Sequence, residues 1–274
     1  MFGTRLVSGI ILVIIAFVTM FMGGPLLAVV SLLISLSAFR ELTRALQING
    51  EEKGYNAPEI VGLAGVVCYY ICVYFAKTDS AVLMCIVAVF MAEMFLYVVC
   101  FPKYTSSQII SSIFAFLYGP VMLSFIYQTR GTEYGFYMVW LILISSWGCD
   151  TCAYAVGMLI GKKKIFPHLS PKKSLEGCIG GVAGAAILGG LYAYFLVDRV
   201  IVHQNVLWII VFICAVGAVM SMVGDLAASA IKRNHNIKDY GKLLPGHGGI
   251  MDRFDSVIVT APMIYFLTMI MINM

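Results

Sequence analysis

Residues suited to binding phosphate or a divalent cation are concentrated in one segment, Ser221–Asp255, of a chain that is otherwise strongly apolar. Hydrophobic residues make up 61% of the 274 residues, and charged residues make up 12%. The ionisable side chains of the segment include Asp225, Lys232, Arg233, Lys238, Asp239, Lys242, His247, Asp252, Arg253 and Asp255. Carboxylates and lysines beside a glycine-rich turn suit a phosphate-bearing ligand held through a divalent metal.

The spacing of the acidic residues predicts their positions on two helices. Asp225, Ser229 and Arg233 follow one another at intervals of four residues and therefore share one helix face. Asp252 and Asp255 share a face at the start of the last apolar run. Because Mg²⁺ prefers hard oxygen ligands and substrate phosphates, we expect Asp225 and Asp252 to bind it. Alternatively, Asp252 caps its helix and Asp225 pairs with a lysine or arginine.

A glycine-rich turn, Pro245-Gly246-His247-Gly248-Gly249, lies between those two acids. Glycine adopts the backbone conformations that a tight turn needs. Consecutive exposed amides in such a turn form a concave site for anions. The turn is therefore a candidate phosphate-binding element.

A second basic segment, Ser170-Pro171-Lys172-Lys173-Ser174, predicts a proline turn that presents two ammonium groups. Lysine binds phosphate as a mobile point charge. Alternatively, the segment is an ordinary basic loop at a membrane surface, attracted to anionic lipid.

Two further acids lie in apolar runs, Asp150 and Glu93. An ionisable residue at membrane depth usually faces the protein interior or an aqueous cavity. Asp150, at the predicted end of the sixth run, has Ser145, Ser146 and Tyr154 nearby in the sequence. A functional site is the favoured interpretation for Asp150, whereas Glu93 has no identifiable partner.

Long apolar runs predict an all-α, polytopic helical membrane protein with about nine transmembrane helices, since ~20 apolar residues span a bilayer. Mean hydropathy is +0.94. The predicted spans are Leu6–Met22, a second run ending near Phe39, Ile60–Ala76, Ala81–Phe101, Ile109–Gln128, Phe136–Tyr154, Gly177–Val197, Val206–Gly224 and Ser256–Asn273. Glycines in the seventh run favour close helix packing.

The distribution of lysine and arginine predicts a cytoplasmic N-terminus, with the basic loops 158–176 and 225–255 also cytoplasmic. These basic clusters are interpreted as orientation signals, so no nucleic acid partner is expected. Residues 1–135 are predicted to form an N-terminal membrane-helix region, and residues 136–274 a C-terminal catalytic membrane region. The expected location is the cell membrane, with the active site at the cytoplasmic face.

The most specific sequence blocks lie between Trp147 and Asp255. They are Asp150-x-x-Ala153-Tyr154-x-x-Gly157, Gly161-Lys162, Ser170-Pro171-Lys172-Lys173-Ser174-x-Glu176-Gly177, Ser229-x-Ile231-Lys232-Arg233, Lys238-Asp239-x-Gly241 and Leu244-Pro245-Gly246-His247-Gly248-Gly249-Ile250-x-Asp252-Arg253-Phe254-Asp255. Together they resemble the signature of the phosphatidate cytidylyltransferases, or CDP-diacylglycerol synthases. Residues 1–146 resemble this family only as a set of spans.

The resemblance implies that CTP and phosphatidate react to give CDP-diacylglycerol and diphosphate in phospholipid biosynthesis. The implied catalytic residues are Asp225, Asp252, Lys232, Arg233 and Arg253. The implied substrate-binding residues are Lys172, Lys173, Ser229, Lys238, Asp239, Gly246, His247, Gly248 and Gly249. The implied Mg²⁺ ligands are Asp225, Asp252, Asp150 and Asp255, with a second cation left open. The lipid bilayer is an expected partner, and a homodimer is compatible with the resemblance.

The sequence departs from the family pattern at three positions. Ala228 stands where members commonly carry a glutamate, and Cys149 and Cys152 stand where the family often has Asn or a small residue and Gly. Two other functions remain as alternatives. One is a CTP-dependent polyprenol or lipid kinase, and the other is an ion or anion transporter that uses Asp150, Glu93 and Asp225.

Overall fold

A computed structural model describes residues 2–48, 54–76, 78–167, 169–198, 200–201, 205–243 and 248–272. The described residues form nine helices joined by short connections, and an isolated β-bridge pairs Lys164 with Ser174. The helices are α1 (Phe2–Met22), α2 (Gly24–Ala45), α3 (Ala57–Phe75), α4 (Asp79–Val99), α5 (Ser106–Arg130), α6 (Gly135–Ile160), α7 (Leu175–Val197), α8 (Val206–Asn234) and α9 (Met251–Met271).

Eight of these helices, α2 to α9, are long and apolar enough to cross a membrane, and α1 adds a shorter apolar stretch, Ser8–Met22. The predicted all-α, multi-pass membrane fold is therefore confirmed. The side of the membrane on which the N-terminus lies stays a prediction. Of the residues used for that prediction, Lys53, Lys77 and Arg199 lie outside the described part of the chain.

The helices that carry Asp150 and Asp225 extend further than the apolar runs predict. α6 continues to Ile160, so Asp150 lies inside a helix and not at its end. α8 continues to Asn234, so residues 225–234 of the predicted loop are helical. This extension agrees with the four-residue spacing of Asp225, Ser229 and Arg233, which is a helical pattern.

Side chains in the connections fix where several helices begin. The Asn56 side chain accepts a hydrogen bond from the Glu59 amide at the start of α3, at 3.0 Å. Thr105 and Gln108 form a reciprocal capping box at the start of α5. Ser174 accepts from the Gly177 amide at the start of α7, at 3.2 Å. Each cap satisfies a backbone N–H that lacks a partner within its own helix.

Three helices contain a wider π-helical turn: α5 at Leu117–Val121, α6 at Ile144–Gly148 and α7 at Ala193–Val197. Such turns often occur at functional sites. The turn in α6 ends one residue before Cys149 and two residues before Asp150. It contains two fully buried serines, Ser145 and Ser146.

The chain divides into two compact units. The first unit comprises Met1–Ser124 and His235–Arg253, and the second comprises Phe125–Asn234 and Phe254–Met274. The predicted division into residues 1–135 and 136–274 stays a prediction.

The core of the first unit is formed by fully buried side chains of α2, α3 and α5. The Phe39 ring lies against Gly62, where a Cβ would overlap it. Tyr69 shares a hydrogen bond with Ser124 at 3.0 Å, and Tyr70 shares one with Ser35 at 2.7 Å. Buried hydroxyl groups are thus paired, as an apolar environment requires.

The second unit depends on the close packing of α6 against α7. A Cβ on Gly181 would come within 2.9 Å of both the Ala153 Cβ and the Cys149 Sγ. A Cβ on Gly180 would lie 2.6 Å from the Val156 side chain. The glycines of α7 therefore let the two backbones approach closely, as the sequence predicts.

Candidate active site

The connection between α6 and α7 is organised by hydrogen bonds to its own backbone. The Glu176 carboxylate accepts from the Lys162 amide at 3.0 Å and from the Lys163 amide at 3.2 Å. The Lys173 amide donates to the Ser170 carbonyl at 3.2 Å, which closes the predicted proline turn. These bonds fix the backbone that carries Lys172 and Lys173.

This turn forms one wall of a cavity with a volume of about 490 Å³ in the second unit. Its lining combines polar and cationic groups with apolar side chains of α6 and α8. The lining residues are Asp150, Ala153, Tyr154, Gly157, Met158, Lys164, Ser170, Pro171, Lys172, Lys173, Ser174, Gly177, Cys178 and Met222. Asp150, Lys172 and Lys173 of the predicted site therefore line a single cavity.

The two adjacent lysines of the turn have different surroundings. Lys173 forms an ion pair with Asp225, with 2.5 Å between Nζ and Oδ2. The exposed fraction is 20% for the Lys173 side chain and 29% for that of Asp225. Lys172 is exposed, and its carbonyl accepts a hydrogen bond from the Lys164 ammonium at 3.0 Å. Lys173 thus belongs to the acidic part of the site, and Lys172 is accessible from solvent.

Three carboxylates of the second unit influence one another electrostatically. Asp225 interacts with both Asp150 and Asp255. Lys173 offsets the charge near Asp150, and Lys232 offsets the charge near Asp255. Three of the four predicted metal ligands, on α6, α8 and α9, are therefore near enough to influence one another electrostatically.

This carboxylate cluster fits a cation by its chemistry. Carboxylate oxygens are the ligands that Mg²⁺ prefers, and a positive charge, the Lys173 ammonium, already lies against Asp225. Within the described residues, no three Asp, Glu, His or Cys side chains are close enough to form a complete ligand set. The described geometry is therefore that of a cation-attracting cluster and not of a closed metal centre.

The fourth predicted ligand, Asp252, bonds to backbone within the first unit. Its Oδ2 accepts from the Tyr240 amide at 2.9 Å and from the Gly249 amide at 3.0 Å. The carboxylate therefore holds the segment that leads into α9. The predicted convergence of Asp252 with Asp225 on Mg²⁺ stays a prediction.

Sequence reasoning missed one acid that contacts the segment leading into α9. This acid is Glu41, near the end of α2. It is 6% exposed, and its two carboxylate oxygens accept from the Ile250 and Met251 amides. The sequence signal is weak: an acid that follows an apolar run. Nothing in the sequence links it to residues about 200 positions away.

The other predicted residues occupy varied positions. Ser229 and Lys232 are partly buried on α8, whereas Arg233, Lys238, Asp239 and Arg253 are exposed. Gly248 has a φ of 83°, which favours glycine, and Gly249 is buried. Gly246 and His247 lie outside the described residues.

Residues 3–271 match the family model described as the cytidylyltransferase family. The chain belongs to this family. The resemblance drawn from its sequence blocks is thereby confirmed.

Several curated relatives are named phosphatidate cytidylyltransferase. The Bacillus subtilis protein is 38% identical over 135 residues, which are 49% of this chain and 48% of that protein. The Thermotoga maritima protein is 39% identical over 168 residues, 58% of this chain and 60% of that protein. The Staphylococcus saprophyticus protein is 28% identical over 265 residues, 96% of this chain and 97% of that protein. The chain thus spans about half the length of the first of these relatives and nearly all of the third.

The three departures from the family pattern lie on packed helices. Ala228 is fully buried on α8. The Cys149 thiol is buried and directed at the Ala218 carbonyl, at 3.8 Å. A Cβ added at Gly184 would lie 2.5 Å from Cys152. Both cysteines thus occupy helix-packing positions.

Proposed function

We propose that this protein transfers the cytidylyl group of CTP to phosphatidate at the cytoplasmic face of the cell membrane, giving CDP-diacylglycerol and diphosphate. The observation that carries the proposal is the cavity in which Asp150, Lys172 and Lys173 meet, with Asp225 paired to Lys173. In a multi-pass membrane chain of the cytidylyltransferase family, this combination suits a reaction between a lipid phosphate and a nucleotide triphosphate.

The reaction depends more on neutralising the negative charge of the phosphate groups than on proton transfer. A phosphate oxygen of phosphatidate attacks the α-phosphorus of CTP, and the bond from that phosphorus to the oxygen it shares with the β-phosphorus breaks, so that diphosphate leaves with that oxygen. The attacking oxygen is already anionic at neutral pH, so no strong base is needed. The barrier comes from bringing two polyanions together and from the charge that develops on the leaving diphosphate. Fixed cationic groups lower both costs.

The lysines of the α6–α7 turn are placed for this task. The Lys173 ammonium is held within the carboxylate cluster, and the exposed Lys172 is available to a phosphate that enters the cavity. In this scheme, Lys232, Arg233, Lys238 and Arg253 bind further phosphate oxygens. Tyr154, Met158 and Met222 give the same cavity apolar surface, which suits the glycerol and acyl portion of a lipid.

Asp225, Asp150 and Asp255 would hold Mg²⁺ in this scheme, and Asp252 is the further predicted ligand. A bound cation would supply neutralisation of the triphosphate charge and polarisation of its phosphoryl oxygens. The support for this assignment is the donor set, three acids that interact with one another beside a lysine. A second cation, a homodimer and the cytoplasmic orientation remain predictions.

Position-specific labelling of CTP tests the reaction. Purified protein is incubated with phosphatidate, Mg²⁺ and CTP labelled at either the α or the γ phosphate. Cytidylyl transfer places the α label in lipid and releases the γ label as diphosphate. Transfer of the γ label to lipid would instead indicate a lipid kinase. Absence of the α label from lipid would contradict cytidylyl transfer.

A further inference from the structure

The buried carboxylate of Glu41 lies within the first unit, against the segment that carries several predicted substrate-binding residues. Its Oε1 accepts from the Ile250 amide at 3.0 Å, and its Oε2 accepts from the Met251 amide at 2.8 Å. These amides lie at the start of α9, where backbone N–H groups lack partners within the helix. Glu41 therefore acts as an N-cap supplied by a distant part of the chain.

Two glycines of the segment leave room for this carboxylate. A Cβ added to Gly249 or to Gly241 would overlap the Glu41 carboxyl group. Neither glycine has the positive φ that would by itself call for glycine. Close approach of Glu41 therefore explains glycine at both positions.

A second acid completes the arrangement from within the segment. Asp252 accepts from the Tyr240 and Gly249 amides, so that two carboxylates together bind four backbone N–H groups. The two acids repel each other electrostatically. Hydrogen bonds between a charged acceptor and amide donors are among the stronger ones in proteins. They hold the two acids side by side despite that repulsion.

We propose that Glu41 is a positioning residue that fixes residues 248–252, including Asp252, in the conformation that the binding of CTP requires. The proposal rests on the proposed function, because it takes this segment as part of the nucleotide site. Glu41 acts through the backbone of Gly249, Ile250 and Met251, and it does not itself contact the reacting atoms.

The first experiment compares Glu41→Gln with Glu93→Gln in full-length protein. Glutamine has one oxygen and one NH₂ group, so it cannot accept from both amides. Glu93 is a matched control because it is also a buried acid of the first unit, 1% exposed, whose hydrogen bond comes from Ser112. We expect Glu41→Gln to raise the KM for CTP by about tenfold or more, from the usual strength of a hydrogen bond to a charged group. The fall in kcat should be smaller, and Glu93→Gln should leave the KM for CTP within about twofold of the original protein.

Amide hydrogen exchange gives a readout that needs no substrate. In Glu41→Gln, the Ile250 and Met251 amides should exchange faster, while peptides from α6 and α7 keep their original rates. Unchanged exchange at these two amides would overturn the proposed contact. Faster exchange with an unchanged KM for CTP would overturn its link to the nucleotide. Failure of the original protein to transfer cytidylyl groups would refute the proposed function, whereas the exchange result would still decide the role of Glu41 in positioning.

A double-mutant cycle tests the contact between Glu41 and Gly249, and its Gly249→Ala variant alone covers the case in which Glu41→Gln does not fold. Gly249→Ala keeps Glu41 but displaces its carboxylate, so it should raise the KM for CTP in the same way. In a Glu41→Ala background, the added methyl group meets no carboxylate, and Gly249→Ala should then change the KM by less than about twofold. If the effects of the two changes on the KM for CTP are additive, contact with Glu41 is not the reason that position 249 requires glycine.

Discussion

Replacement of Lys173 by methionine removes the ammonium group from the carboxylate cluster and should lower the stability of the second unit. At the observed 2.5 Å separation from Asp225, Coulomb's law gives about 7 kcal/mol for an effective dielectric constant near 20 and about 2 kcal/mol in bulk water. Desolvation of both groups offsets much of this attraction. Since the side chains are 20% and 29% exposed, we expect a net coupling of about 1–3 kcal/mol, between the values for exposed and buried pairs.

A double-mutant cycle measures this coupling. The variants are Lys173→Met, Asp225→Asn and the double variant, each unfolded by heat in detergent. Lys172→Met is the stability control, because Lys172 lies in the same turn but is exposed. Lys173→Met alone should lower the Tm by several degrees, given about 2–4 °C per kcal/mol for chains of roughly 150–250 residues. Lys172→Met should change the Tm by about a degree or less, as is usual for surface substitutions.

The double variant shows whether the effects of the two substitutions on stability are coupled or independent. If the pair is coupled, Asp225→Asn should partly rescue Lys173→Met, because it removes the carboxylate that lost its partner. Additive effects within about 0.5 kcal/mol would show that the two groups do not stabilise each other. That result would also remove Lys173 from the carboxylate cluster and leave it, like Lys172, as a lysine of the turn.

Three further outcomes follow from the geometry. Asp252→Asn should abolish cytidylyl transfer but lower the free energy of unfolding by only about 1 kcal/mol, because asparagine retains one oxygen for the Tyr240 amide. Normal transfer at limiting Mg²⁺ would exclude Asp252 from the metal site. Gly181→Val should prevent folding, since its side chain would overlap α6, and a normal Tm in detergent would contradict the packing described. Cysteines introduced at Lys163 and Lys242, in a background without native cysteines, should react with an impermeant maleimide only from the cytoplasmic side; labelling from outside would overturn the predicted orientation.

The helices are predictable from sequence because the length of each apolar run and the polar residues between the runs determine them locally. The residues at which the helices end are less predictable. The sixth run contains Asp150 near its end and the eighth run stops just before Asp225, because a search for apolar residues ends near each acid. Both helices continue, because their backbone hydrogen bonds do not depend on whether a side chain faces lipid or an aqueous cavity. The four-residue spacing after Asp225 gave the better indication.

The sequence could indicate candidate residues where they belong to recognisable blocks. The lysine turn and the acids Asp150, Asp225 and Asp255 are of this kind, and their roles in the reaction stay predictions. Sequence alone could not separate Lys172 from Lys173, because the difference is which of the two reaches a carboxylate on another helix. Glu41 was missed for the same reason, since its partners are backbone amides that carry no sequence signal.

The two units compensate buried negative charge in different ways, and this difference bears on which acids can bind a cation. Asp225 is balanced by a flexible lysine side chain, which can move aside for another cation without breaking backbone structure. Glu41 is balanced by two backbone amides, and moving it would release the start of α9. Asp252 resembles Glu41 in that its Oδ2 accepts hydrogen bonds from two backbone amides. Its proposed role as a cation ligand therefore falls to the other carboxylate oxygen. Asparagine at position 252 retains an oxygen for the amides but contributes no negative charge, and its activity therefore separates the two roles.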